Sequence, residues 1–282
     1  MLDKNASPES KIRYQYAQEI AELCPETLFD EIALTGSSSR GIATVESDIE
    51  INFWVHQLPS AEERKEWVQS LGVNNIQAMT APRPDNSYWV NAVYKGIELE
   101  AGWQTFADLD SALTELIEAR TTEHQALRLA ELVISAKPLR GSGTLENWQA
   151  LLVTYPTLLA DKLIDDALKD WFSIDWLENH LTQPKFKADS HRIWRIIFAL
   201  NHQWEINWKY AHHSLENLDT CPENIIMRLD AIQQSTPQDA VVIVLELIVD
   251  TLQLIKTNKR HYENALILID LFTSLLLQAK ST

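Results

Sequence analysis

Residues 36–55 read GSSSRGIATVESDIEINFWV, and this stretch constrains the chain more than any other. A short apolar run, Glu31 to Thr35, ends at Gly36 and is followed by three serines and Arg40. Asp48 and Glu50 then lie two apart in a segment that otherwise alternates as a strand. Ile49, Ile51, Phe53 and Val55 point one way, and Asp48, Glu50, Asn52 and Trp54 the other. Neighbouring side chains on one strand face sit roughly 6.6 Å apart at their Cα atoms. Two carboxylates at that spacing can lean onto one hard cation, whose preferred ligands are oxygens. Burying them without a cation is costly. The Gly-Ser turn, with free backbone N–H groups, the hydroxyls of Ser37 to Ser39 and Arg40, offers an anion a place beside them. A divalent metal carrying a phosphorylated substrate satisfies both halves; a polar edge strand after an ordinary turn is the bland alternative.

A chain of 282 residues has room for two modest domains or one large one. It is 45% hydrophobic, with 10 Trp and only 7 Gly, so it folds rather than remaining disordered. A net charge of −16 argues against broad contact with a nucleic-acid backbone, so DNA is not an expected partner. The same charge suits a cationic or a metal-bound substrate. Cys24 and Cys221 each precede a proline and have no metal or redox spacing, which fits inert thiols in a reducing, cytoplasmic setting. The polar N-terminus lacks a signal-peptide core. The apolar runs 241–249 and 265–277 are short and carry Glu246 and Asp270, so no membrane span is expected.

The composition changes along the chain. Residues 1–143 mix strand and helix patterns. Ser7-Pro8-Glu9 opens a helix to about Leu23, and Ser60 caps another through Leu71. Strands are expected over 31–35, 47–55, 88–94 and 97–105, the last two joined by a Lys95-Gly96 hairpin turn. A helix follows from Asp108. Residues 131–139 read either as a helix end or as a final strand, and 140–143 (RGSG) as a hinge. From 144 to 282 the apolar spacing is helical, over roughly 145–169, 170–181, 189–214, 222–234, 238–257 and 260–279. The expectation is an α+β protein: an N-terminal domain (1–143) with a small mixed sheet flanked by helices, then an α-helical bundle (144–282) that binds substrate.

On the strand Ile97-Glu98-Leu99-Glu100-Ala101, Glu98 and Glu100 share a face. If this strand lies beside 47–55, one of them completes a three-carboxylate cluster, and Glu98 is the better bystander. The expected helix 189–214 sets Arg195, His202, Glu205 and Lys209 on one polar stripe opposite Ile193, Ile197, Leu200, Trp204 and Trp208. Spacing alone makes Glu205 and Lys209 a surface pair worth about 0.3–0.5 kcal/mol.

The segment GSSSR…SDIEINFWV resembles the signature of the nucleotidyltransferase superfamily typified by DNA polymerase beta. Its D-x-E form resembles kanamycin nucleotidyltransferase and other aminoglycoside-modifying members. LEAGWQTFADL resembles the strand bearing that family's third carboxylate, which falls on Glu100. Residues 137–146 resemble the passage into its helical domain, and EINWK resembles its E-x-x-x-K helix. Ser39 stands where many relatives have glycine.

The resemblance implies Mg²⁺-dependent transfer of a nucleoside monophosphate, AMP from ATP, to a hydroxyl of a small molecule, with release of pyrophosphate. In that reading Asp48, Glu50 and Glu100 hold metal. Gly36, Ser37, Arg40, Ser47 and Lys209 bind the nucleoside triphosphate, and Glu205 takes the acceptor's proton. The acceptor would be a cationic small molecule such as an aminoglycoside. A nucleotidyltransferase acting on protein or RNA, as in toxin–antitoxin pairs, and a non-catalytic nucleotide-binding relative are the alternatives. The two apolar final helices fit a homodimer, as the resemblance implies, or burial within one bundle.

Overall fold

The computed structural model describes residues 2–171, 186–206, 208–210, 214–215, 218–258 and 263–281. The chain divides into two compact units, Met1–Thr154 and Tyr155–Thr282. The first is α+β and the second is helical.

Unit one begins with α1 (Pro8–Leu23), whose N-cap Ser7 accepts from the Ser10 amide and whose first helical residue is a proline. After a 3₁₀ turn come β1 (Glu31–Leu34), the one-turn helix α2 (Gly36–Ser39) and β2 (Ile49–Val55). α3 (Ala61–Ser70) starts with a capping box between Ser60 and Glu63. Then follow β3 (Asn74–Ala78), β4 (Tyr88–Tyr94), β5 (Ile97–Thr105), α4 (Phe106–Ile117), α5 (His124–Ser135), β6 (Lys137–Gly141) and α6 (Thr144–Leu152). β3 has no counterpart among the expected strands. Its side chains are largely exposed, so it lacks the buried alternation that marks a strand in sequence. The ambiguous stretch 131–139 is both things in turn, the end of α5 and the start of β6.

The six strands form one mixed sheet in the order β3-β4-β5-β2-β1-β6. β2 and β5 run parallel and the other neighbours antiparallel. The alternation of β2 sorts its faces as expected. Ile49, Ile51, Phe53 and Val55 are almost wholly buried in a core with Ala17 and Ile20 of α1, Trp67 and Val68 of α3, and Leu99 and Trp103 of β5. Phe53 stacks on Trp103 with ring centroids 4.5 Å apart. The opposite face carries the polar residues of the motif.

The division between the units falls eleven residues beyond the expected boundary at 143/144. α6 belongs to the first unit because its side chains are committed there. Gln149 Nε2 donates to the Val133 and Ala136 carbonyls at the end of α5, at 3.0 and 2.9 Å, and Trp148 Nε1 donates to Asp110 Oδ1 at 2.5 Å. The expected helix 145–169 is accordingly two, α6 and α7 (Thr157–Trp171), parted by a short break ending at Pro156.

Unit two contains α7, α8 (Phe186–Leu200), a 3₁₀ turn (Trp208–Tyr210), α9 (Ile225–Gln234), α10 (Pro237–Asn258) and α11 (Glu263–Ala279). Most of the expected helix 170–181 lies outside the described residues. Ile193, Ile197, Leu247, Leu252, Leu268 and Phe272 are buried. Among the described residues no helix is long and apolar enough to cross a membrane.

The expected helix 189–214 is corrected. α8 stops at Leu200 in a Schellman turn. His202 takes a left-handed φ of 51°, its N–H donates to the Ala199 carbonyl at 3.2 Å, and the Gln203 N–H donates to the Phe198 carbonyl at 3.0 Å. Asn201 locks the exit: Nδ2 donates to the Ile197 and Thr220 carbonyls, and Oδ1 accepts from the Thr220 amide. Apolar spacing continued past the turn, but two hydrogen-bonding ends outweigh it.

Candidate active site

Three carboxylates meet on the polar face of the first unit's sheet. One oxygen each of Asp48, Glu50 and Glu100 lies within 4.8 Å of the others. The parallel register explains the meeting: Glu50 stands directly opposite Glu100, so their side chains share a face. Glu98 is exposed and outside the cluster. Asp48 comes from the residue just before β2, which begins at Ile49 rather than at 47.

Glu50 is the most heavily supported of the three. The Thr35 amide donates to the Glu50 carbonyl at 2.8 Å, and the Thr35 hydroxyl donates to Glu50 Oε1 at 3.0 Å. Asn52 Nδ2 in turn donates to Thr35 Oγ1 at 2.7 Å. Burial raises the Glu50 pKa above the ordinary carboxylate value, and the negative charge of Asp48 adds to the shift. The Thr35 hydrogen bond opposes it, Glu100 reinforces it and Arg40 opposes it. Neither Thr35 nor Asn52 was among the expected site residues. Asn52 sits on the same face as Asp48 and Glu50, two residues on, which was the signal available.

Gly36 is needed for two reasons. Its φ is +68°, and a Cβ there would come within 2.6 Å of Glu50 Oε2. The glycine of the motif thus makes room for the carboxylate of the motif. Ser37, Ser38 and Ser39 are buried. Ser38 Oγ donates to the Asp48 carbonyl at 3.4 Å, and Ser39 Oγ to the Gly36 carbonyl at 2.9 Å. Ser39 is not among the positive-φ residues, so its backbone makes no demand for glycine. The Ser47 hydroxyl accepts from the Thr44 amide at 2.9 Å and closes the turn ahead of Asp48.

That turn is also held from below by Arg13 of α1. This guanidinium is 3% exposed; Nε donates to the Ser47 carbonyl at 2.8 Å and a terminal nitrogen to the Val45 carbonyl at 3.1 Å. Ser7 and Ser10 bond Ala43 from the same helix. Arg13 therefore positions the segment that delivers Asp48. Nothing in local sequence pattern links residue 13 to residue 47.

Arg40, expected to bind phosphate, is otherwise engaged. Its guanidinium forms a two-pronged ion pair with Glu131 of α5; Nε to Oε1 is 2.7 Å, with a second, very short contact to Oε2. Both side chains are nearly buried. The sequence gap of 91 residues hides this partner.

The remaining two expected residues lie in the second unit and do not share a helix face. Glu205 follows the Schellman turn and is 3% exposed. Its Oε2 accepts from Arg195 Nε at 3.2 Å. Tyr155 is beside them, with its phenol pKa raised by burial first and by the Glu205 charge second, against the opposing effect of Arg195. Trp204 packs on the Tyr155 ring at 4.7 Å. Lys209 is exposed on the 3₁₀ turn, with Nζ 4.9 Å from the centre of the Tyr210 ring.

Both cysteine thiols are pushed up by burial, Cys24 to about 12 and Cys221 to about 11, in keeping with inert thiols.

No protein-family model matches the chain, and no curated protein matches it. Among solved structures 17 chains match. One is a nucleotidyltransferase-like protein from Exiguobacterium sibiricum 255-15, 10% identical, aligned over 96% of this chain and 90% of that one with a TM-score of 0.36. Function has to be argued from the carboxylates and their surroundings.

Proposed function

We propose that this protein is a Mg²⁺-dependent nucleotidyltransferase that moves a nucleoside monophosphate, AMP from ATP, onto a hydroxyl of a small molecule. One observation carries the reading: three carboxylates, two from paired positions of β2 and β5 and one from the residue before β2, converge to within 4.8 Å beside a Gly-Ser turn whose glycine leaves space for one of them. The donor set fits a hard divalent ion, which takes oxygen ligands. The raised pKa of Glu50 fits too, since burial and like charge disfavour ionisation of a group that a cation would compensate.

Asp48, Glu50 and Glu100 would hold the ion. When bound, it would neutralise phosphate charge during in-line displacement. The acceptor hydroxyl oxygen would form a bond to the α-phosphorus while its proton passes to water, the bond from that phosphorus to the bridging oxygen would break, and pyrophosphate would leave. Thr35 and Asn52 fix the Glu50 carboxylate, and Arg13 fixes the approach to Asp48. The Gly36–Ser37 turn would lie against the phosphates. Arg40 is held beside the turn by its ion pair with Glu131.

The decisive experiment supplies labelled ATP and Mg²⁺ with a panel of acceptors: aminoglycosides, nucleosides, RNA and proteins. Transfer to one small-molecule class, lost in Asp48→Asn, supports the reading. Transfer to protein or RNA alone would replace the acceptor class. Absence of any metal-dependent triphosphate binding would defeat the proposal.

A further inference from the structure

Arg40 is paired with Glu131, and a second guanidinium lies at the cluster. Arg83 stands at the carboxylate cluster, on the loop between β3 and β4. Its guanidinium lies over the Trp89 ring, 4.2 Å from the centroid. A terminal nitrogen is 3.8 Å from Glu100 Oε2, which is a charge contact and too long for a hydrogen bond. The Arg83 side chain is 35% exposed. Among the described residues no hydrogen bond reaches its guanidinium.

The loop is built to keep it there. The Arg83 amide donates to the Ser87 carbonyl at 2.8 Å, and the Asn86 amide to the Arg83 carbonyl at 2.9 Å. Asp85 accepts from the Ser87 amide and hydroxyl, and Trp89 Nε1 donates to that hydroxyl at 2.6 Å. Gln104 of β5 donates to the Asp85 carbonyl at 2.6 Å. Trp89 can lie flat because its partner on β5 is Gly102, where a Cβ would come within 2.7 Å of the indole. Next along the same face, Asn91 stands opposite Glu100, and its Oδ1 is buried without a hydrogen-bond partner. A guanidinium held over an aromatic ring is restrained before a ligand arrives, so less freedom is lost on binding. Its edge N–H groups remain available to oxygens.

We infer that Arg83 is a substrate-binding residue, gripping the phosphate oxygens of a metal-carried triphosphate at the Glu100 edge of the cluster, with Trp89 as its platform. This inference rests on the proposed metal–triphosphate reading. It assigns the anion contact to a residue that no spacing rule connects with Asp48 and Glu50. The long Glu100 contact is the one that yields when phosphate arrives.

Two calorimetric titrations test it on the full chain, with no turnover required: Mn²⁺ alone, then a non-hydrolysable ATP analogue at saturating Mn²⁺. Arg83→Ala should leave Mn²⁺ affinity unchanged or tighter, because a neighbouring positive charge is removed. It should weaken analogue affinity about tenfold. Arg83→Lys should recover only part, since an ammonium has no plane to stack on Trp89. Equal analogue affinity in wild type and Arg83→Ala would overturn the inference while leaving the metal reading intact. Parallel loss of Mn²⁺ and analogue affinity would also overturn it, assigning Arg83 to loop structure alone. A wild-type protein that binds Mn²⁺ but no analogue, or neither, would overturn both.

Discussion

Two glutamates, one in each unit, sit in opposite electrostatic company: Glu50, partly exposed, and Glu205, buried. Glu50 lies among like charges, Asp48 and Glu100, and its pKa is raised. Glu205 lies against a guanidinium, that of Arg195, with aromatic rings around it. A paired buried charge is an ordinary structural solution, costly to break and weakly informative about function. A gathered set of like charges lowers stability unless something else compensates, so it persists for what it binds. The contrast says where to look for chemistry: at the sheet of unit one, ahead of the Glu205 cluster.

The largest effect that would break or sharpen this contrast is on activity. Asp48→Asn should reduce transfer by more than about a hundredfold, in line with the several kcal/mol a metal ion contributes. It should also raise the melting temperature of metal-free protein, because it relieves repulsion on Glu50. Retained turnover would remove the metal assignment, and a lowered melting temperature would show that Asp48 is held for structure.

Next is Glu131→Gln, which leaves Arg40 nearly buried without its carboxylate. A loss of about 3 kcal/mol in denaturant unfolding is expected. An unchanged midpoint with weakened triphosphate binding would instead return Arg40 to the phosphate site.

Glu205→Gln should cost about 2 kcal/mol, since Arg195 is partly exposed and can reach water. If Glu205 is structural, the transfer rate per folded molecule stays the same. A rate that falls with no change in triphosphate affinity would make Glu205 the proton acceptor that the family resemblance implies.

The smallest effect is one of pH. Folded metal-free protein holds the Glu50 proton to higher pH than the unfolded chain does. Its stability should therefore be fully present at low pH and fall as pH rises from the ordinary carboxylate value through the raised one. Glu31, raised chiefly by burial, acts with the same sign. The difference between wild type and Asp48→Asn across a pH series of melting temperatures reports the part of that shift that Asp48 adds to burial. Added Mg²⁺ should flatten that difference, and a difference that survives saturating Mg²⁺ would argue that the ion does not meet Glu50.

Some of this was readable along the chain because it obeys short-range rules. Period-two alternation assigned the buried and polar faces of β2 and β5 correctly, and Ser7 and Ser60 announced the helix starts. Gly36 could be read as a turn, though its steric relation to Glu50 could not. The pairings that decide roles are of another kind. Arg40 with Glu131, Arg13 with the Ser47 carbonyl and Arg83 with Glu100 depend on neighbours in space that no local pattern encodes. The helix end at Leu200 shows the same limit from the other side. Apolar spacing predicted continuation, but Asn201 found partners at Thr220 that compete with another helical turn. From sequence alone came the carboxylates and the strands that carry them, because side-chain direction follows from backbone geometry. Which cations serve those carboxylates and which are locked into the scaffold was decided by tertiary structure, because a charge acts on whatever lies nearest in space.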